Sequence, residues 1–192
     1  MARSRNWSRS KFRPVGRYSR TAAARIAELA RRLPEIEGAP IAVSFRNSQE
    51  IGGTAHAGAL LTERRIVFER ALARDQPEFA RIFVHELFHF AWLRLGNVRR
   101  RAWERLLTQE IARGVRGELG WSSEWRKREL ESSDVRARTR RWRAYCCESF
   151  CDSAAWLFSG LKRHPEFTLA AQPRKRRRQW FERSGASARI PI

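Results

Sequence analysis

Methionine occurs once, tyrosine twice and cysteine three times in the 192 residues. The cysteines, Cys146, Cys147 and Cys151, are odd in number and crowded into one short stretch, so they make no disulfide framework. That scarcity points to a reducing compartment, and a cytoplasmic location is expected. Long apolar runs are missing too. No stretch approaches the roughly 18–20 apolar residues of a membrane span, so no membrane partner is expected. Acidic residues are few, 20 Asp+Glu against 40 Lys+Arg, which leaves a net charge of +20. A field of that sign draws acidic or phosphate-rich partners without saying anything about fold. Much of the charge is arginine, whose planar fork suits bidentate contact with phosphate. Some nonspecific nucleic-acid affinity is therefore expected.

What is present suffices for one domain. The chain is 42% hydrophobic with eight tryptophans, enough to bury a sizeable core. The N-terminal M-A-R-S-R-N-W-S-R-S-K-F-R-P is basic but leads into no apolar segment, which argues against a secretory signal. Its acid-free, Arg/Ser-rich character also fits a transit peptide, but the plainer expectation is a flexible basic arm over residues 1–19. Apolar spacing predicts a helix over 21–33, then strands over 41–45, 56–61 and 65–69. A well-punctuated helix follows, with Asp75 as N-cap, Pro77 in its first turn, and a stop at Gly96. A second helix capped by Asn97 carries Trp103, Leu107 and Ile111 at helical spacing. Residues 114–133 read as a loop with one short helix around Glu124–Leu130. A last long helix runs from about Asp134 to Gly160, and a basic tail covers 161–192.

The chemistry lies in H-E-L-F-H at 85–89. Residues four apart on a helix share a face, so His85 and His89 can present two imidazoles to one metal ion. Glu86 sits beside that face, placed to take a proton from a metal-bound water. Zinc suits this work because it lowers the pKa of bound water to about 7 and polarises a carbonyl. A catalytic zinc needs a third protein ligand. The metzincin arrangement would put a histidine where Leu95 stands, and the only methionine is Met1, so that branch is excluded.

The last helix carries Glu148 and Asp152, again four apart, in an otherwise apolar stretch. Carboxylates in such surroundings want a partner, because burying unpaired charge is costly. H-E-x-x-H followed by a helical E-x-x-x-D resembles the gluzincin metallopeptidases, including the compact ImmA/IrrE-type bacterial members. The resemblance covers about residues 66–93 and 145–158. It implies His85, His89 and Glu148 as zinc ligands, Glu86 as general base, and Asp152 as the carboxylate orienting a ligating histidine. The connection over 90–147 is longer than in the compact members and no helix-turn-helix accompanies the core.

Other residues are weighed beside these. His56, Tyr145 and His164 are candidate donors to a developing oxyanion. His56 lies on a probable strand where similar enzymes carry a substrate-pairing edge. The cysteines are expected to be buried thiols packed around the site, with Cys147 and Cys151 able to crosslink or to take soft metals adventitiously. Trp92, Trp103, Trp121, Trp125, Trp142 and Trp156 are expected in the core, and Trp7 and Trp180 are the candidates for stacking on bases. The tract P-R-K-R-R-R at 173–178 reads equally well as a solvated tail or a nucleic-acid contact. Arginines at 99–101 and 138–143 could line one positive surface.

The expectation is therefore an α+β, zincin-like domain over 20–160. A small mixed or antiparallel sheet packs on the H-E-x-x-H helix and a Glu-bearing helix, with a basic helical insertion at 97–133. The expected activity is peptide-bond hydrolysis by Glu86-assisted attack of a zinc-bound water, on a peptide or protein. The alternative is a nucleic-acid-binding or regulatory protein whose zinc site is not used for proteolysis. A third reading combines both, in an enzyme that cuts proteins on DNA.

Overall fold

The computed structural model describes residues 11–16, 20–47 and 56–192. In chain order the first elements are β1 (Phe12–Pro14), α1 (Arg20–Ala30), β2 (Glu35–Glu37), β3 (Ile41–Arg46), β4 (Ala57–Leu60) and β5 (Arg65–Glu69). The helices α2 (Gln76–Arg94), α3 (Asn97–Ala112), α4 (Trp121–Arg128) and α5 (Ser132–Ala137) come next. Helices α6 (Arg140–Phe158) and α7 (Ala171–Arg183) and strand β6 (Arg189–Pro191) complete the chain. The architecture is mixed α+β. No helix among the described residues is long and apolar enough to cross a membrane.

Helix α2 is the axis of the molecule. The Asp75 carboxylate accepts the Glu78 N–H at 3.1 Å and Pro77 lies in the first turn, as the sequence predicts. Its buried residues, among them Phe79, Phe83, Val84, Leu87, Phe88 and Ala91, exceed one amphipathic stripe, so the helix is packed on more than one side. One side meets a four-stranded sheet of order β1-β3-β5-β4, in which β4 alone is antiparallel. Phe79 and Phe83 of α2 pack on Phe68 of β5, with ring centroids 5.3 and 5.9 Å apart, and Phe12 of β1 lies 5.0 Å from Phe83. The other side meets α6, where Phe88 and Trp92 pack on Phe150 at 5.7 and 5.3 Å.

Three expectations change. Phe12 is buried and its strand pairs with β3, so the stretch read as a flexible arm supplies an edge of the sheet; residues 1–10 and 17–19, including Trp7, lie outside the described residues. The segment read as a basic insertion is structural, since Trp103 and Leu107 of α3 belong to the main core. The long last helix is split at Arg138, which takes a left-handed φ of 52°, and Thr139 caps α6 by accepting the Trp142 N–H. The Asp134 carboxylate braces the break, accepting the Thr139 hydroxyl at 2.5 Å and the Glu131 N–H at 3.0 Å.

The basic tail is the largest correction. Residues 161–192 form α7 and β6, and β6 pairs in parallel with β2. Trp180 is not a free stacking ring: it packs against Trp103 and Phe181 at 5.0 and 5.3 Å. Arg177, in the middle of the basic tract, is 0% exposed. Its guanidinium makes two bonds to Glu118, at 2.6 and 3.0 Å, and reaches Glu110 at 2.7 Å. Lys127 and the Tyr145 hydroxyl close on the same Glu118 carboxylate, at 3.0 and 2.6 Å. Burial works to raise the Glu118 pKa, but Arg177 and Lys127 outweigh it and hold it at about 2. A helix with five consecutive basic residues, 174–178, thus fully buries one of them and leaves the other four partly or wholly exposed.

Removing one member of a buried ion pair strands the other charge. Arg177→Met should lower unfolding free energy by about 3–5 kcal/mol in urea titrations at neutral pH; a change within experimental error would show that the network carries no structural weight. Because the folded Glu118 pKa lies below its ordinary 4.5, its stabilisation should be complete above that value. It should fade as pH drops from about 4.5 toward 2, by on the order of 3 kcal/mol.

Candidate metal centre

The two halves of the site come from α2 and α6, which cross where His85, His89, Glu148 and Asp152 meet. The Nε2 atoms of His85 and His89 are 3.2 Å apart. Glu148 Oε2 lies 3.2 Å from the first and 4.0 Å from the second. A tetrahedral zinc with bonds of about 2.05 Å holds its donors about 3.3 Å apart, so these separations fit one ion. Those three residues form a group in which one donor atom from each lies within 4.8 Å of the others.

The outer nitrogens are engaged in a way that leaves this donor group able to hold a cation. His85 Nδ1 is 2.7 Å from Asp152 Oδ1, an acceptor, so Nδ1 carries the proton and donates it. His89 Nδ1 lies 3.4 Å from Cys147 Sγ and is occupied likewise. With each Nδ1 engaged by Asp152 or Cys147, the two Nε2 atoms and a Glu148 carboxylate oxygen converge on one point, an arrangement that suits a cation. Burial disfavours a charged imidazole at His85, yet Asp152 and Glu148 raise its proton affinity well above the usual value. The same carboxylates would favour a metal ion. At Glu148 burial is again opposed, by His85, His89 and Arg126, and the carboxylate is held at about 2. It is therefore ionised, as a ligand must be.

Asp152 is fixed from a direction that the sequence left as loop. Its Oδ2 accepts the Ser123 N–H of the first turn of α4 at 3.1 Å. Gly120, just before α4, passes so close that a Cβ there would collide with the Asp152 carboxyl group. Arg126 of the same helix reaches Glu148 Oε1 at 3.4 Å. Lys127 joins α4 to Glu118, so the clamp on the site is tied to the buried Arg177 network.

Glu86, His85 and His56 line one open cleft of about 450 Å³, with Trp121 and Ser122 on its far wall. Glu86 is half-buried and has no hydrogen-bond or ion-pair partner among the described residues. His56 stands on the rim just before β4, its Nδ1 2.8 Å from Glu69 Oε2. Among the described residues β4 ends the sheet on this side, and Ala57 lines the cleft.

Tyr145 is not brought to the cleft. It is fully buried with its hydroxyl donating to Glu118, and burial first, then Glu118, raise its pKa well above the ordinary value. It shares a helix with Glu148 but faces the Arg177 network. His164 is engaged with Glu78 at 3.0 Å and accepts the Glu166 N–H; both of those residues line the cleft, but His164 itself does not. Trp121 and Trp125 are the further correction. They are 66% and 43% exposed and stack on each other beside the cleft rather than in the core. Ser123, Gly120 and Arg126 were not singled out from the sequence; the glycine before a tryptophan-bearing short helix was the only local signal.

No protein-family model, curated protein or solved structure matches this chain significantly.

Metal content by mass spectrometry tests the ligand set. Wild-type protein should bind zinc near one per chain, and His85→Ala and Glu148→Ala should each lose it. Asp152→Asn should weaken zinc about 10–100-fold. Gly120→Ala should weaken it comparably by pushing the Asp152 carboxyl group aside. Unchanged zinc affinity in Glu148→Ala would remove Glu148 from the site.

Proposed function

We propose that this protein is a zinc-dependent metallopeptidase with a zincin-like, gluzincin-type site. The observation that carries the proposal is Glu86: a carboxylate without a partner among the described residues, facing an open cleft beside three convergent donors. A structural metal site has no use for such a group. Zinc held by His85, His89 and Glu148 would supply an acidified water and polarise the scissile carbonyl.

The chain's own residues do the rest. Glu86 accepts the proton of the attacking water and returns it to the leaving amine. Asp152 holds the His85 ring in the tautomer that turns Nε2 inward, and Ser123 keeps Asp152 in place. His56, anchored by Glu69 on the opposite lip, is the donor best placed to meet the developing oxyanion. The edge of β4 offers backbone groups along which an extended peptide pairs. Trp121 on the far wall supplies apolar area for a substrate side chain.

Glu86→Gln separates binding from chemistry. The variant should keep zinc while cleavage of a proteome-derived peptide library falls by at least 10²-fold. Cleavage at the wild-type rate would take Glu86 out of the mechanism.

One observation favours the second reading, a nucleic-acid-binding or regulatory protein whose zinc serves no proteolysis. Arg99, Arg105, Arg176 and Arg183 line one groove between α3 and α7, and no acidic residue borders it. These side chains form no ion pairs among the described residues. On this reading log affinity for a single-stranded oligonucleotide should fall steeply with log salt, and Arg105→Glu with Arg176→Glu should flatten the slope by about one to two units. A slope unaffected by the two substitutions would place any nucleic-acid contact elsewhere.

A further inference from the structure

His89 stands between two sets of donors. Its Nε2 faces His85 and Glu148, while its Nδ1 faces Cys147 Sγ at 3.4 Å. Cys151 lies one turn beyond Cys147 on α6, and one donor atom from each of His89, Cys147 and Cys151 falls within 4.8 Å of the others. A four-coordinate ion with bonds of about 2.3 Å to sulfur and about 2.05 Å to nitrogen sets such donors about 3.5 Å apart. The thiols are not in disulfides, and no carboxylate belongs to this group. Two sulfurs and one imidazole form a soft donor set, unlike the two imidazoles and carboxylate beside it. Cys151 is buried, and Cys147 is the partly exposed member through which an ion reaches the pair.

We propose that Cys147, Cys151 and His89 Nδ1 form a second metal site, selective for a thiophilic cation such as Cd²⁺ or Cu⁺, which acts against the first. Binding displaces the two thiol protons to solvent, while the Nδ1 proton of His89 either moves to Nε2 or, if the ring bridges both ions as imidazolate, is also released. A neutral imidazole offers one lone pair, because its other nitrogen keeps the proton. An ion on Nδ1 therefore either takes His89 from the neighbouring site or forces the ring to ionise fully, and both weaken the first ion. Cysteine 146, next in sequence, takes no part: it is not in the donor group, and its backbone carbonyl is held by the Trp103 indole at 3.0 Å. The soft site stands on its own donors; only its antagonism rests on the reading of His85, His89 and Glu148 as zinc ligands.

The test titrates Cd²⁺ into the zinc-loaded full chain, following the ultraviolet thiolate-to-cadmium charge-transfer band and the zinc released to a chromophoric chelator. The wild type should develop the band to saturation at one cadmium per chain while zinc leaves in step. Cys151→Ser and Cys147→Ser should each weaken the band's apparent affinity at least tenfold, whereas Cys146→Ser should match the wild type. Cys151→Ala, with far-ultraviolet circular dichroism as a check on folding, replaces Cys151→Ser if the latter does not fold. His85→Ala should still develop the band, since His85 is no part of the soft site. A wild type without the band, or a band indifferent to Cys147 and Cys151, overturns the site. A saturated band with zinc fully retained overturns the antagonism. Stoichiometric zinc in His85→Ala would instead count against the first site's ligand set and leave the soft site standing.

Discussion

A buried guanidinium ties together the elements that border the candidate metal centre. Arg177 reaches inward from α7 and takes both oxygens of Glu118, while Glu110 of α3 closes its other edge. Such a pair adds little net stability over an apolar substitute, because desolvation offsets much of the attraction. What it adds here is position. Glu118 lies just before the turn into α4, so fixing it fixes Gly120, Ser123 and Arg126. Those three then fix Asp152 and Glu148.

The site itself follows from the shortage of acid in a chain of +20. Of the carboxylates this protein carries, Glu110, Glu118, Glu148 and Asp152 are drawn into its interior or close to it, and each meets a cation or an imidazole there. Two clusters result, on neighbouring faces of α6. Tyr145 and Ser149 face the Arg177 network, and Glu148 and Asp152, about 60° round the helix, face the histidines. One helix thus carries both a buried charge cluster and the candidate metal centre. The convergence of two Nε2 atoms and a carboxylate oxygen on the second side is what separates it from the first.

Much of this was legible in the residues. Local signals carried α2, because Asp75, Pro77 and the histidine spacing act within a few turns of one another. Glu148 and Asp152 were legible because two carboxylates in an apolar helical stretch demand partners. The missed parts are long-range. Nothing local distinguishes Arg177 from the exposed arginines around it; its burial depends on Glu118, 59 residues away. Tyr145 misled for the same reason, since helical spacing placed it near Glu148 without revealing that Glu118 would claim its hydroxyl. The strand of Phe12 was hidden inside a basic composition that reads as disordered. Trp121 and Trp125 were assigned to the core on hydrophobicity, whereas α4 is short and leaves both exposed, Trp121 at the lip of the cleft and Trp125 stacked on it.

The central claim is that α2 and α6 build a nitrogen–oxygen metal centre, and that the sulfur donors one step away are not part of it. X-ray absorption at the zinc edge, on the protein loaded with one equivalent, decides this directly. The account expects a first shell of nitrogen and oxygen at about 2.0–2.1 Å with the outer-shell pattern of two imidazoles. A sulfur shell at about 2.3 Å would contradict it, because the zinc would then sit on Cys147 and Cys151 instead of on Glu148.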